Sequence, residues 1–305
     1  MATKNITSWD EFVASASETI EENTTYILTT DIDIASNVLN SGITWSGGGS
    51  YRKTYTTAET GLTNAKKING ITYYGGGNVF AFSNQNVTFE NIHFINCQIT
   101  TGTLFTHSHT NDNATPFIRF NRCIVTGFVN YLSFPKNSAS GSVTVSPNIC
   151  FYQCAFNVKG TQLTGSSGIA RFTLFTECWI HFDKLGNTNY ISYNGMFCQC
   201  YFEGSCENNS YYNNYSNFYN CVINMDLSTT QSANYRYWSY SGRSWSTGMT
   251  PSADLWYGSN YCLINSSKLA QTISDSASTY TRLTDAQRKS VEQINTLAPN
   301  FPISD

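Results

Sequence analysis

Charge is what this chain has least of. Charged residues fill 12% of its 305 positions, 17 basic against 20 acidic, for a formal net charge of −3. The lysines and arginines are scattered, so no basic patch is available to neutralise phosphates, and nucleic acid is not an expected partner. Long apolar runs are missing too. With no stretch of about 18 apolar residues, a membrane span is not expected, and Met1 to Ser8 lacks the basic segment and apolar run of a secretion signal. Metal-ligand spacing is equally scarce. Cys198 and Cys200 are separated by one residue and no histidine pair accompanies them, which is not a zinc pattern. Neither Gly47-Gly-Gly49 nor Gly75-Gly-Gly77 has the form of a phosphate-binding loop, and no Gly-x-Ser-x-Gly or Ser/His/Asp set can be assembled. No cofactor is expected.

Aromatics, at 15%, and ten cysteines are what the chain has instead. Six times it writes Phe-x-x-Cys with an apolar residue two further on: Phe94/Cys97/Ile99, Phe120/Cys123/Val125, Phe151/Cys154/Phe156, Phe175/Cys178/Ile180, Phe197/Cys200/Phe202 and Phe218/Cys221/Ile223. Successive phenylalanines are 26, 31, 24, 22 and 21 residues apart. A fixed phrase separated by loops of variable length describes a coil stacked on itself. Stacking would set equivalent residues about 4.8 Å apart. The cysteines then form an interior column of free thiols that act as small hydrophobes.

Three regions follow from the pattern. In residues 1–25, Ser8-Trp-Asp-Glu11 fits a capping box, and Trp9, Phe12, Val13, Ala16 and Ile20 recur at helical spacing, which predicts a capping helix ending near Asn23. Residues 26–265 read as extended segments broken by Gly- and Asn-rich bends, Asn91 and Asn96 among them, with a Trp/Tyr-rich distal part from about 225. Residues 266–305 hold a second capped helix, Thr284 to Leu297, stopped by Pro299, and a docking tail.

The opening Trp9-Asp-Glu-Phe12 with Tyr26-Ile-Leu-Thr-Thr-Asp-Ile-Asp33, and the segment Asn86 to Ile99, resemble the single-stranded right-handed parallel β-helix of pectate-lyase-like proteins and phage tailspikes. The resemblance spans Trp9 to Asn224. It implies an all-β rod with α-helical caps at both ends, and trimers with parallel axes. The fold alone implies no activity.

Strand alternation sorts the outward columns. The residue after each cysteine gives Gln98, Ile124, Ala155, Trp179, Tyr201 and Val222, an apolar column expected to face outward and to mark a partner site. Trp179 and Tyr201 would stack as neighbours and could bind a sugar ring, as could Trp238, Trp245 and Trp256. Three residues after the cysteine, His181 and Glu203 are predicted neighbours. Glu177, just before Cys178, and Glu203 form the sole carboxylate pair that a glycosidase could use. Asp31 and Asp33 share a face but make a poor calcium cage. His107, His109 and Asp112 share a loop, and Arg119 and Arg122 share a coil without the clustered Asp residues that a pectate-lyase-like calcium site would need.

These features point to a non-enzymatic virion component of a tailed phage, a head fibre, capsid decoration or tailspike-like subunit. It would be assembled in the host cytoplasm as a homotrimer, with other virion proteins and host surface glycan as contacts. Two readings stay open beside it: a polysaccharide-degrading enzyme using Glu177, Glu203 and His181, and a glycan-binding adhesin without catalysis.

Overall fold

The structure, a computed structural model, describes residues 1–34, 38–58, 65–109, 118–137, 146–165, 171–185, 190–193, 195–198, 200–205, 211–214, 217–219, 221–223 and 263–264. Its described residues form an all-β protein of two parallel sheets with one α-helix. The expected helix at Thr284 to Leu297 and the residues Trp238, Trp245 and Trp256 lie outside the described residues. No described helix is long and apolar enough to cross a membrane.

The first sheet has nine strands, and their spatial order is their chain order: Ala2–Ile6, Thr24–Leu28, Arg52–Thr57, Asn86–Glu90, Ile118–Asn121, Ser146–Tyr152, Arg171–Thr176, Gly195–Cys198 and Asn217–Tyr219. The first two are joined by the helix; from Thr24–Leu28 onward, the chain passes through the second sheet between one of these strands and the next. There, Ala155–Gly160, Trp179–Lys184, Tyr201–Glu203 and Val222–Ile223 add in turn to the long strand Ile124–Asn137, again in chain order. Each pass therefore lies on the pass before it.

Register brings like residues into columns. Tyr26, Tyr55, Phe89, Phe120, Phe151, Phe175, Phe197 and Phe218 are successive partners in the first sheet. From Tyr26 to Phe197 their rings stack face to face, with centroids 4.9, 5.1, 5.1, 4.7, 5.0 and 4.7 Å apart and planes within 20°. The spacing is that of the strands, so backbone pairing and ring stacking reinforce one another. All seven rings are buried.

The register corrects one of the six phrases. Phe94 pairs with Val125, not Phe120, and Cys97 pairs with Gly127. The residue aligned with Phe120 is Phe89, which places Ile92 at the head of the cysteine column. Phe94-x-x-Cys97 imitates the phrase because it spans the next corner of the same pass. Asn91 and Asn96 both have φ near +54, at 54° and 53°, so one pass contains two copies of the same local bend. Both side chains at 94 and 97 remain fully buried.

A left-handed residue also precedes the thiol in later passes: Arg122 (φ 53°), Gln153 (51°) and Glu177 (53°). Only Gly adopts this conformation without cost and Asn tolerates it best, so the three departures are set by stacking rather than by local preference. Their side chains line up along the corner. Arg122 pairs with Glu90 and donates to Asn91 Oδ1 at 3.2 Å, and Gln153 donates to Glu177 Oε2 at 2.9 Å.

The helix runs over Trp9–Ser17, with Ser8 as N-cap accepting from the Glu11 amide at 3.3 Å. The Glu11 carboxylate reaches back to the amide and hydroxyl of Thr7 at 2.7 and 2.8 Å. Phe12 and Ala16 pack into the end of the core, with Phe12 against Trp45 and Tyr55. Ser17 ends the helix well short of Asn23 because its last carbonyls have other donors. The buried Lys53 ammonium donates to Ser15, Ala16, Glu18 and Ser46 carbonyls at 2.9, 2.9, 2.6 and 2.7 Å. The Ser46 amide also takes the Ala16 carbonyl at 2.9 Å. A cation at a helix C-terminus satisfies both the orphan acceptors and the dipole. Ahead of the helix, Ala2–Ile6 forms a strand that its weak alternation conceals; it exists through pairing with Thr24–Leu28.

Candidate functional site

The cysteine column is structural chemistry. Cys123, Cys154, Cys178, Cys200 and Cys221 are free and buried, and each thiol donates to the carbonyl of the ladder aromatic on the preceding pass. The S···O distances to Phe89, Phe120, Phe151, Phe175 and Phe197 are 3.5, 3.3, 3.5, 3.6 and 3.4 Å. Burial pushes Cys97 up to about 12 and holds Cys123 and Cys178 well above the ordinary thiol range. Against burial, hydrogen bonds from neighbouring thiols lower Cys154 well below that range and Cys200 to about 6, yet every member of the column is buried out of reach of a reagent in solution. Among the described residues no group of three His, Cys, Asp or Glu side chains is placed to hold a metal ion.

The column after the thiol differs from expectation in two ways. Its first member is His93 rather than Gln98, since His93 pairs with Ile124. It is also covered: His93, Ile124, Ala155 and Tyr201 are 6, 3, 0 and 3% exposed. An exposed apolar stripe is therefore absent at these positions, and Tyr201 offers no ring face to a ligand. Burial, with Lys67 nearby, lowers His93 to about 4, so this histidine is neutral at ordinary pH. Trp179 pairs with Tyr201 in the sheet and keeps part of its surface open.

Around Trp179 the outward residues of Trp179–Lys184 alternate as Trp179, His181 and Asp183. The Trp179 and His181 rings are 6.1 Å apart. His181 pairs in register with Glu203, and its Nδ1 lies 3.0 Å from Glu203 Oε1, while its Nε2 lies 3.6 Å from Asp183 Oδ2. Asp183 is a hub. It also faces Lys159 Nζ at 4.0 Å and accepts from the amide and hydroxyl of Ser205 at 3.1 and 2.8 Å. The Glu203 hydrogen bond raises the His181 pKa, outweighing burial, and Asp183 adds to the rise.

Glu177 does not join this group. It sits at the exposed corner, bonded to Gln153, whereas Glu203 is bonded to His181. The two carboxylates thus have separate partners. Asp183 went unnoticed in the sequence although strand alternation from Trp179 puts it on the same face. Elsewhere, Asp31 accepts from the Lys67 amide at 2.9 Å and Asp33 from Asn69 at 3.2 Å, each holding a neighbouring pass. Arg122 has the acidic partner Glu90 that sequence reading did not assign. His107 is fully buried, and Asp112 lies outside the described residues.

Comparison of the chain with protein-family models, curated proteins and solved structures gave no match. The class stands as an all-β protein of in-register parallel sheets with a helix packed at its N-terminal end.

Proposed function

We propose that the stacked passes wind as a right-handed parallel β-helix and that the chain is a non-enzymatic structural subunit of a tailed-phage virion. The observation that carries the reading is the unbroken register of the aromatic column from Tyr26 to Phe197. Parallel strands joined by crossovers are right-handed in about 98% of cases, which supplies the hand. A column of stacked rings and thiols gives a stiff element suited to bearing load. A sparsely charged surface, 12% of residues, suits close contact with neighbouring subunits.

Head fibre, capsid decoration and tailspike-like subunit all fit such an element, with a homotrimer as the assembled form. Since Ile124, Ala155 and Tyr201 are buried within the chain, contact between copies or with other virion proteins falls to other surfaces. Met1, Val38, Tyr51, Tyr74 and Tyr152 are the large apolar side chains exposed among the described residues. Among the described residues host glycan contact falls to Trp179, since Tyr201 is buried and Trp238, Trp245 and Trp256 lie outside them.

Light scattering of the purified chain tests the assembly, with a trimer mass expected. Mass spectrometry of purified particles tests the location. A monomer in solution, or absence from every particle fraction, overturns the reading.

A further inference from the structure

We infer that His181 is a pH-responsive clamp between two neighbouring strands, Trp179–Lys184 and Tyr201–Glu203. The inference stands whether or not the chain is a virion subunit. Its basis is geometric. One imidazole ring lies between two carboxylates, with Glu203 Oε1 3.0 Å from Nδ1 on the next strand and Asp183 Oδ2 3.6 Å from Nε2 on its own.

A protonated imidazole donates from both nitrogens and so satisfies both carboxylates at once. The neutral ring carries a single N–H. Whichever nitrogen keeps it, the other turns a lone pair towards a carboxylate oxygen, and an attraction becomes a repulsion. The charged groups that face the ring are Glu203 from the following strand, Asp183 from its own strand and Lys159 from the preceding one. The Lys159 ammonium is 64% exposed and touches only the far carboxylate, at 4.0 Å, so it is too solvated to replace the imidazolium.

The clamp closes on a defined place. Ser205, two residues beyond Glu203, is tied by its amide and hydroxyl to the same Asp183 that faces His181. Gly204 between them has φ +114°, and a Cβ there would lie 2.3 Å from the Phe182 carbonyl, so this turn admits only glycine. Losing the imidazolium leaves Asp183 and Glu203 facing each other's field across a fixed, tight turn. The strand Tyr201–Glu203 is what loosens.

The sign follows from linkage. The folded-state pKa of His181 is raised above the ordinary histidine value, chiefly by the Glu203 hydrogen bond. Its stabilisation is fully present below that ordinary value and is lost as pH rises through the folded-state value. His93, held at about 4, stays neutral throughout and does not confuse the measurement.

Hydrogen exchange of the full chain, corrected for intrinsic rates and compared at about pH 5.5 and about pH 8.5, reads the clamp directly. The wild type is expected to lose protection at Tyr201–Glu203 and Ser205 at the higher pH, while the Phe120 and Phe151 amides, two and three strands away from Lys53 and its titration near 8, are unchanged. Glu203→Gln keeps the shape and is expected to abolish the difference, and an NMR titration should show the His181 midpoint falling in that variant. Equal protection at both pH values in the wild type overturns the inference. So does a pH-dependent loss that persists undiminished in both Glu203→Gln and His181→Gln.

Discussion

The Cys154 thiol donates to the Phe120 carbonyl 3.3 Å away on the preceding pass, and the same bond recurs at Cys123, Cys178, Cys200 and Cys221. One short phrase of sequence thus supplies both the ring that stacks and the thiol that satisfies the carbonyl behind the neighbouring ring. The two columns are coupled through the backbone they share.

Phe120 is closely flanked in the ring column, with Phe89, Phe105 and Phe151 centroids 5.1, 4.4 and 4.7 Å away. Phe120→Ala is expected to cost about 3–5 kcal/mol, the range for emptying a packed aromatic site. Urea denaturation checks it. The midpoint should fall with little change in slope.

Cysteine reactivity should report folding. In native protein, the seven buried cysteines among the described residues, Cys97, Cys123, Cys154, Cys178, Cys198, Cys200 and Cys221, are expected to resist a thiol reagent and to react once the chain is unfolded in denaturant. Counting modified sites by mass spectrometry before and after unfolding decides the matter. Rapid native labelling at Cys154 would contradict a packed column.

Glu177 holds φ at +53° on an exposed corner, where its carboxylate accepts from Gln153. Glu177→Val is expected to destabilise by about 1–2 kcal/mol, since a β-branched residue is strained there. Glu177→Gly and Glu177→Asn should be neutral or stabilising. Thermal melts of the three variants rank them.

Lys53→Met should be among the most damaging single changes. The methionine fits the space, but it leaves the Ser15, Ala16, Glu18 and Ser46 carbonyls without their shared donor. Ala16 keeps the Ser46 amide as donor, and each of the other buried acceptors left unpaired costs about 1–3 kcal/mol. Burial lowers the Lys53 pKa to about 8, so the ammonium is still the main form at neutral pH. Circular dichroism should show the helix signal lost before the sheet signal as the variant is warmed.

How far the sequence could be read varies from residue to residue. Asn91 and Asn96 announced their bends because asparagine favours the left-handed region, whereas Arg122, Gln153 and Glu177 adopt it without any such preference. The Phe94/Cys97 phrase looked identical to the later five and proved to be one corner out of step. Local pattern fixes which residues bend and which alternate, but not which bend lies above which. The helix end at Ser17 was equally illegible, since its carbonyls are taken by a lysine 35 to 38 residues further on.

The His181–Glu203 contact could be anticipated by counting from the cysteines, and Asp183 could have been added by counting along one strand. The burial of Tyr201 could not. Alternation says which face a side chain is on; whether that face is then covered depends on segments that pack over it, which no local pattern contains.

By itself, the sequence determined that this is a stacked, strand-rich, weakly charged protein with phenylalanines and thiols inside, because a repeated phrase of period two admits few other backbones. Tertiary structure alone decided the register of the first pass, the place of Lys53 and the covering of the outward column. Those depend on through-space contacts between residues far apart along the chain, where free energy is set by packing and by paired polar groups rather than by neighbours in sequence.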